Sequence, residues 1–204
     1  MLIARSRGFT LIELMIGIAL FAIVLMLALP SFTTMLQNSK LRNASESILA
    51  GLQAARAEAL KRNQTVEFML TADPPDTNFA TFVANAIGPG WAVRVLDTAS
   101  VPIDFVDAHS GLEGSGVADP AALYAQTTAS NLPVAGTIRF DGLGRTNVGA
   151  VSTAFDVKPA AAGACKADGG DMRCLQVIVT PGGRVRMCDP SVDSVANPND
   201  TRAC

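Results

Sequence analysis

Arg5-Ser6-Arg7-Gly8-Phe9-Thr10-Leu11-Ile12-Glu13 lies at the start of the sequence, and the chain then runs without a further charge to Leu29. From Phe9 to Leu29 there are 21 residues, close to the ~20 that a helix needs to cross the hydrocarbon of a bilayer. The basic stub before the run predicts a cytoplasmic N-terminal side, which puts the rest of the chain in the periplasm or outside the cell. One acid, Glu13, interrupts the run. An isolated carboxylate at such a depth is expensive and is by default functional, with a partner to be found. A secretory signal has a shorter apolar core followed by a small-residue exit. This run is long and has no Ala-x-Ala exit, and a generic anchor needs neither Gly8-Phe9 nor Glu13.

Gly8-Phe9-Thr10-Leu11-Ile12-Glu13 resembles the type III signal of type IV pilins and type II secretion pseudopilins. The resemblance implies cleavage between Gly8 and Phe9 by a membrane prepilin peptidase, N-methylation of Phe9, and Glu13 as fifth residue of the mature chain. Pro30 stands where many pilins carry a helix-bending proline. The resemblance also supplies a partner for Glu13. As a subunit joins a filament, its acid pairs with the N-terminal amine of a neighbour, and a buried charge is tolerated when paired. Other major and minor pilins, the peptidase and the inner membrane are the implied partners.

The implied organisation is a leader over 1–8, a transmembrane helix half over 9–29, an amphipathic half over 30–62, and a periplasmic or extracellular β-rich region over 63–204. The formal net charge is −2. Losing Arg5 and Arg7 with the leader takes it to about −4, which excludes a global basic field for nucleic acid and leaves only a local patch. In the amphipathic half Leu41, Ile48, Leu52, Ala55 and Ala59 recur at helical steps, a stripe that packs under a sheet. Lys40, Arg42, Glu46, Arg56, Glu58, Lys61 and Arg62 mostly take the other faces.

After Asn63 the pattern changes to short strands: Thr65–Leu70, Trp91–Leu96, Ile103–Val106, Thr137–Phe140, Val151–Val157, and Leu175–Thr180 with Arg184–Met187 around the Pro181-Gly182-Gly183 turn. Residues 107–135 read as a long loop with a helical turn near Ala121–Gln126. The fold class is α+β: a long N-terminal helix packed on an antiparallel sheet or small sandwich. Trp91 is expected in the core. Gly90-Trp91-Ala92-Val93, Phe140-Asp141-Gly142-Leu143-Gly144 and Gly183-Arg184-Val185-Arg186 resemble segments of the GspH/FimT-type minor pilins and pseudopilins, a group that includes FimU-like proteins.

Cys165, Cys174, Cys188 and Cys204 all fall in the last quarter of the chain. Four cysteines allow three pairings. Spacing favours Cys165–Cys174 across a Gly-rich loop and Cys188–Cys204 pinning the tail, as an oxidising compartment allows. A zinc site is the rival, but no Cys-x2-Cys pair is present and the single histidine, His109, is remote.

Gly183, Arg184 and Arg186 carry the second functional expectation. Residues two apart in a strand share a face, and two guanidiniums at a turn can clamp successive phosphates while a glycine admits them to the backbone. Some FimT-like pilins of naturally competent bacteria bind DNA through Gly-Arg-x-Arg. The resemblance therefore implies double-stranded DNA as a partner, without sequence specificity; Arg173, close to the expected hairpin through Cys174, and Arg145 could extend the patch. Paired arginines are also commonly a solvated face or partners for acids such as Asp171 and Asp189.

Loop acids could ligate a cation: Asp104, Asp107, His109 and Glu113; Asp168 and Asp171; or Asp189, Asp193 and Asp200. None has EF-hand order, and solvated loop acids are the simpler reading. The sequence has no nucleophile motif, P-loop or dinucleotide fingerprint, so neither catalysis nor a cofactor is expected. The leading expectation is a minor type IV pilin at or near the pilus tip, priming assembly and binding DNA in competence. Two alternatives stay open: a minor pseudopilin of a type II secretion system, and a dedicated DNA-uptake receptor.

Overall fold

The structure, a computed structural model, describes residues 10–72, 79–85, 90–110, 129–130, 136–150, 152–159 and 165–204, with backbone alone for 27–31 and 129–130. Helix α1 spans Leu11–Arg62 and passes through Pro30 without interruption. The chain divides into two compact units, one ending at Gln37 and the other running from Asn38 to Cys204.

In the first unit the described apolar side chains are exposed, from Leu11 at 76% to Met26 at 75%. Among the described residues no helix is long and apolar enough to cross a membrane; the described side chains of the apolar run end at Met26 and resume at Phe32.

In the second unit the stripe on α1 is the core seam. Leu41, Ile48, Leu52, Ala55 and Ala59 are all buried. Ser45 is buried with them, its hydroxyl donating to the Leu41 carbonyl at 2.8 Å, so the seam steps evenly by four and three residues. Gly51 lets the sheet come close: a Cβ there would sit 3.0 Å from the rings of Phe68 and Trp91. The helix ends at Asn63, whose φ of 51° is left-handed. The Gln64 N–H reaches back to the Ala59 carbonyl at 3.3 Å, which closes a Schellman-type C-cap.

Among the described residues eight strands follow: β1 Thr65–Thr71, β2 Gly90–Leu96, β3 Pro102–His109, β4 Ala129–Ser130, β5 Thr137–Phe140, β6 Thr153–Val157, β7 Leu175–Val179 and β8 Val185–Cys188. They form two four-stranded antiparallel sheets, in the orders β3-β2-β1-β5 and β4-β6-β7-β8. One core joins both sheets to α1, with Phe68 ringed by Trp91 at 5.8 Å and Phe155 at 5.7 Å. Trp91 is buried, donating from its indole to Ser47 Oγ at 2.9 Å.

The opposite face of the first sheet has its own cover. Met69, Ala92 and Phe82 cluster there with Phe79 and Phe105. Beside them Glu67, 2% exposed, takes Arg94 on one oxygen and Arg139 on the other, each at 2.8 Å. These are register partners on β2 and β5. Arg94 continues to the carbonyls of Phe79 and Phe82.

Two expectations need correction. Residues 107–109 are not loop: β3 runs to His109, because Trp91 stacks on that imidazole at 5.9 Å and the strand pairs with β2 along its length. Ala129–Ser130 is a short strand on β6. The helical turn expected near Ala121–Gln126 lies outside the described residues.

Candidate functional site

At the N-terminal end Thr10 caps α1. Its backbone N–H and its hydroxyl each donate to Glu13 Oε2 at 2.8 Å, and Glu13 N–H returns a bond to Thr10 Oγ1 at 3.3 Å. This is a capping box, in which a Thr and a Glu three residues on satisfy each other's orphan backbone donors. Both bonds to the carboxylate fall on Oε2, so Oε1 has no donor among the described residues. Gly8 and Phe9 lie outside the described residues.

The arginine element lies between β7 and β8, at the edge of the second sheet. Gly183 has a φ of 76°, a region that favours glycine. A Cβ there would overlap the carbonyl oxygen of Gly144. The turn over residues 141–145 is locked onto this hairpin from the other side, since Thr146 N–H donates to the Pro181 carbonyl at 3.0 Å. Both turns rest on α1: a Cβ at Gly144 or at Gly183 would sit 3.1 Å from Arg56 Nε, and Gly142 abuts Asn63. Asp141 organises its turn by accepting the N–H groups of Leu143 and Arg145 and the Arg145 guanidinium. Burial alone would raise its carboxyl pKa. The donations from Arg145 and Leu143 together outweigh it and hold the group below the usual aspartate range.

Gly183, the two arginines of the element and the two expected to extend it do different things. Gly183 is buried, and its N–H donates to the Thr180 carbonyl at 2.8 Å. Arg184 sits before β8 begins and is exposed, with no ion pair or side-chain hydrogen bond among the described residues. Arg186 is turned to the chain's own tail, donating to the carbonyls of Ala203 at 2.9 Å and Cys204 at 3.2 Å. Arg173 is drawn to Asp189 at 3.7 Å, and Arg145 to Asp141 at 3.0 Å. Arg184 and Arg186, expected to act as a pair, are therefore differently engaged: among the described residues one is free and the other holds the tail.

That tail is closed by a Cys188–Cys204 bond, and Cys165 is joined to Cys174, with Cα–Cα distances of 5.2 and 5.4 Å. These are the pairs that spacing favours. Within the tail Arg202 holds Asp200 through two bonds, which lower that carboxyl to about 2.

Several of the acids considered as cation ligands are otherwise occupied. Asp104 binds Arg62, Asp189 accepts from Ser191, Asp193 accepts the N–H groups of Val195 and Ala196, and Glu113 lies outside the described residues. Among the described residues no group of three His, Cys, Asp or Glu is placed to hold a metal ion. Sequence reasoning missed Arg56 as part of the hairpin's surroundings. Its position off the core stripe was visible, but its neighbours come from residues 144 and 183, far along the chain.

A long capped helix under two antiparallel sheets, with an apolar N-terminal run, defines the pilin-like class of filament subunits. The chain belongs to the GspH family: the profile described as Type II transport protein GspH matches residues 44–183, and the prokaryotic N-terminal methylation motif matches residues 3–29. The first match stops at Gly183 and leaves Arg184, Arg186 and the tail outside it. Among solved structures, the type IV minor pilin FimU of Pseudomonas aeruginosa PAO1 is similar at 18% identity and TM-score 0.47, covering 73% of this chain and 88% of that one. The minor pseudopilin EpsH of the Vibrio cholerae type 2 secretion system is similar at 11% identity and TM-score 0.45, covering 75% and 99%. No curated protein matches.

Proposed function

We propose that this chain is a minor type IV pilin, cleaved after Gly8, methylated on Phe9, anchored in the inner membrane through residues 9–29 and inserted at or near the pilus tip. The observation that carries the filament reading is the half-used carboxylate of Glu13, with Oε2 capping the helix and Oε1 left for a neighbour's amine. Glu13→Ala is expected to leave leader processing largely intact while reducing the protein in sheared pili. Recovery of the variant in sheared pili at the normal level would refute this role.

The exposed, unengaged Arg184 supports a second task, binding duplex DNA without sequence preference. Because Arg186 secures the tail, Arg184→Ala is the cleaner probe, and it is expected to weaken a mobility shift with a duplex without lowering stability. Unchanged DNA affinity in that variant would remove the DNA role.

The family description favours one other reading, a minor pseudopilin of a type II secretion system. A deletion strain separates the three outcomes. Loss of pili marks a priming pilin, loss of transformation with intact pili a DNA receptor, and loss of exoprotein secretion a pseudopilin.

A further inference from the structure

Every described arginine but two has an acceptor. Arg42 pairs with Glu46, Arg62 with Glu58 and Asp104, and Arg94 and Arg139 with Glu67. Arg145, Arg173 and Arg202 pair with Asp141, Asp189 and Asp200, and Arg186 holds tail carbonyls. Arg56 and Arg184 remain, and the backbone brings Arg56 beside the residue that precedes Arg184. Arg56 Nε lies against Gly183, the residue immediately before Arg184.

Arg56 Nε is also the one buried side-chain polar atom without a partner among the described residues. A buried donor left unpaired is costly, and more so when the group is charged. Of the three guanidinium nitrogens only Nε is so buried, so the terminal nitrogens reach solvent and can take an acceptor. Both glycine turns lie against that nitrogen, each leaving about a Cβ's width of room beside it.

The geometry points to Arg56 on α1 as the second phosphate contact of the site headed by Arg184, in place of Arg186. This rests on the DNA reading above and changes its composition: the ligand is a phosphodiester backbone bridging the helix and the hairpin tip. The Gly144–Gly183 contact holds the hairpin tip against the turn that Arg56 borders, whereas a clamp built from Arg184 and Arg186 would have to displace the tail.

The test titrates the full chain, in nonionic detergent, against a fluorescent duplex of arbitrary sequence at about 50 to 200 mM salt. Arg56→Gln and Arg184→Gln are each expected to weaken binding about tenfold and to reduce the log–log salt slope by about 0.9, the loss of one phosphate contact. Arg186→Gln is expected to keep the slope. Leu60→Glu provides an independent variant that leaves Arg56 in place. Leu60 is half exposed one turn along α1, and a carboxylate there neutralises Arg56 through an i,i+4 pair and is expected to lower the slope by a similar amount. A purely structural Arg56 would shift the melting temperature without moving the slope. If Arg56→Gln and Leu60→Glu keep the wild-type slope while Arg184→Gln loses a contact, the inference is overturned and the DNA reading stands. If the wild-type chain does not bind the duplex, the DNA reading fails and this inference falls with it.

Discussion

At Gly183 two demands coincide: a left-handed backbone and contact with the Gly144 carbonyl that leaves no room for a methyl group. Gly183→Ala meets strain of ~1–2 kcal/mol from the backbone alone, and the overlap adds to it. The expected loss is at least ~2 kcal/mol in chemical denaturation of the full chain. Arg184→Ala, at an exposed position, is expected within about 0.5 kcal/mol of wild type. A fully stable Gly183→Ala would show that the two turns are not interlocked. Asp200 gives a second residue-scale prediction. Bonds from Arg202 lower its folded pKa to about 2, below the ordinary aspartate value of about 3.9. The contact is therefore complete above the ordinary value and is lost as pH falls through about 2. The Arg202 amide resonance should titrate with a midpoint near 2; a midpoint near 4 would mean that the pair does not form in solution. Residue-level roles were the hardest to read from sequence. Gly183 and Arg186 stand in one motif, yet one is explained by a carbonyl some forty positions earlier and the other by the tail.

Among the elements, the first sheet depends on more than its apolar face. Glu67 draws Arg94 and Arg139 together across three adjacent strands, and Arg94 extends the link to the segment around Phe79 and Phe82. Removing the acid leaves two facing guanidiniums, one of them largely buried. Breaking a buried pair costs 3–5 kcal/mol, and because Arg139 is a third exposed the expectation for Glu67→Ala is about 3 kcal/mol, read from the denaturation midpoint. A loss under about 1 kcal/mol would place the sheet's stability in its apolar contacts alone. The elements were largely legible. The stripe on α1 announced itself by its period, strand β1 by a weak alternation, and strands β2, β5 and β7 by short apolar segments set against turns. Ser45 was passed over because a hydroxyl counts as polar until its own helix satisfies it. Strand β3 was read too short because its exposed edge carries Asp104 and Asp107, which look like loop acids in a linear reading.

For the molecule as a whole, the second sheet and the tail form a bonded circuit: β8 leads through Cys188 to Cys204, and Arg186 on the same strand holds the returning backbone. The closed loop spans a sequence separation of 16, for which chain entropy suggests about 3 kcal/mol. The double variant Cys188→Ser, Cys204→Ser is expected to lose protection of the tail amides in hydrogen exchange while α1 keeps its protection. Equal loss across both would mean that the tail and the core unfold together. The cysteine pairs could be foreseen because their spacing left few sensible loops. The approach of Arg56 to Gly144 and Gly183 could not, because it needs a helix, a turn and a hairpin already in place. The interlock of Gly144 with Gly183 also decides where this protein can carry cargo. A hairpin tip is ordinarily a welcoming place for an epitope or dye, but here an insertion next to Gly183 would pry two turns off the helix. Val195, 87% exposed within the disulfide-closed tail, offers an attachment point that leaves that lock untouched.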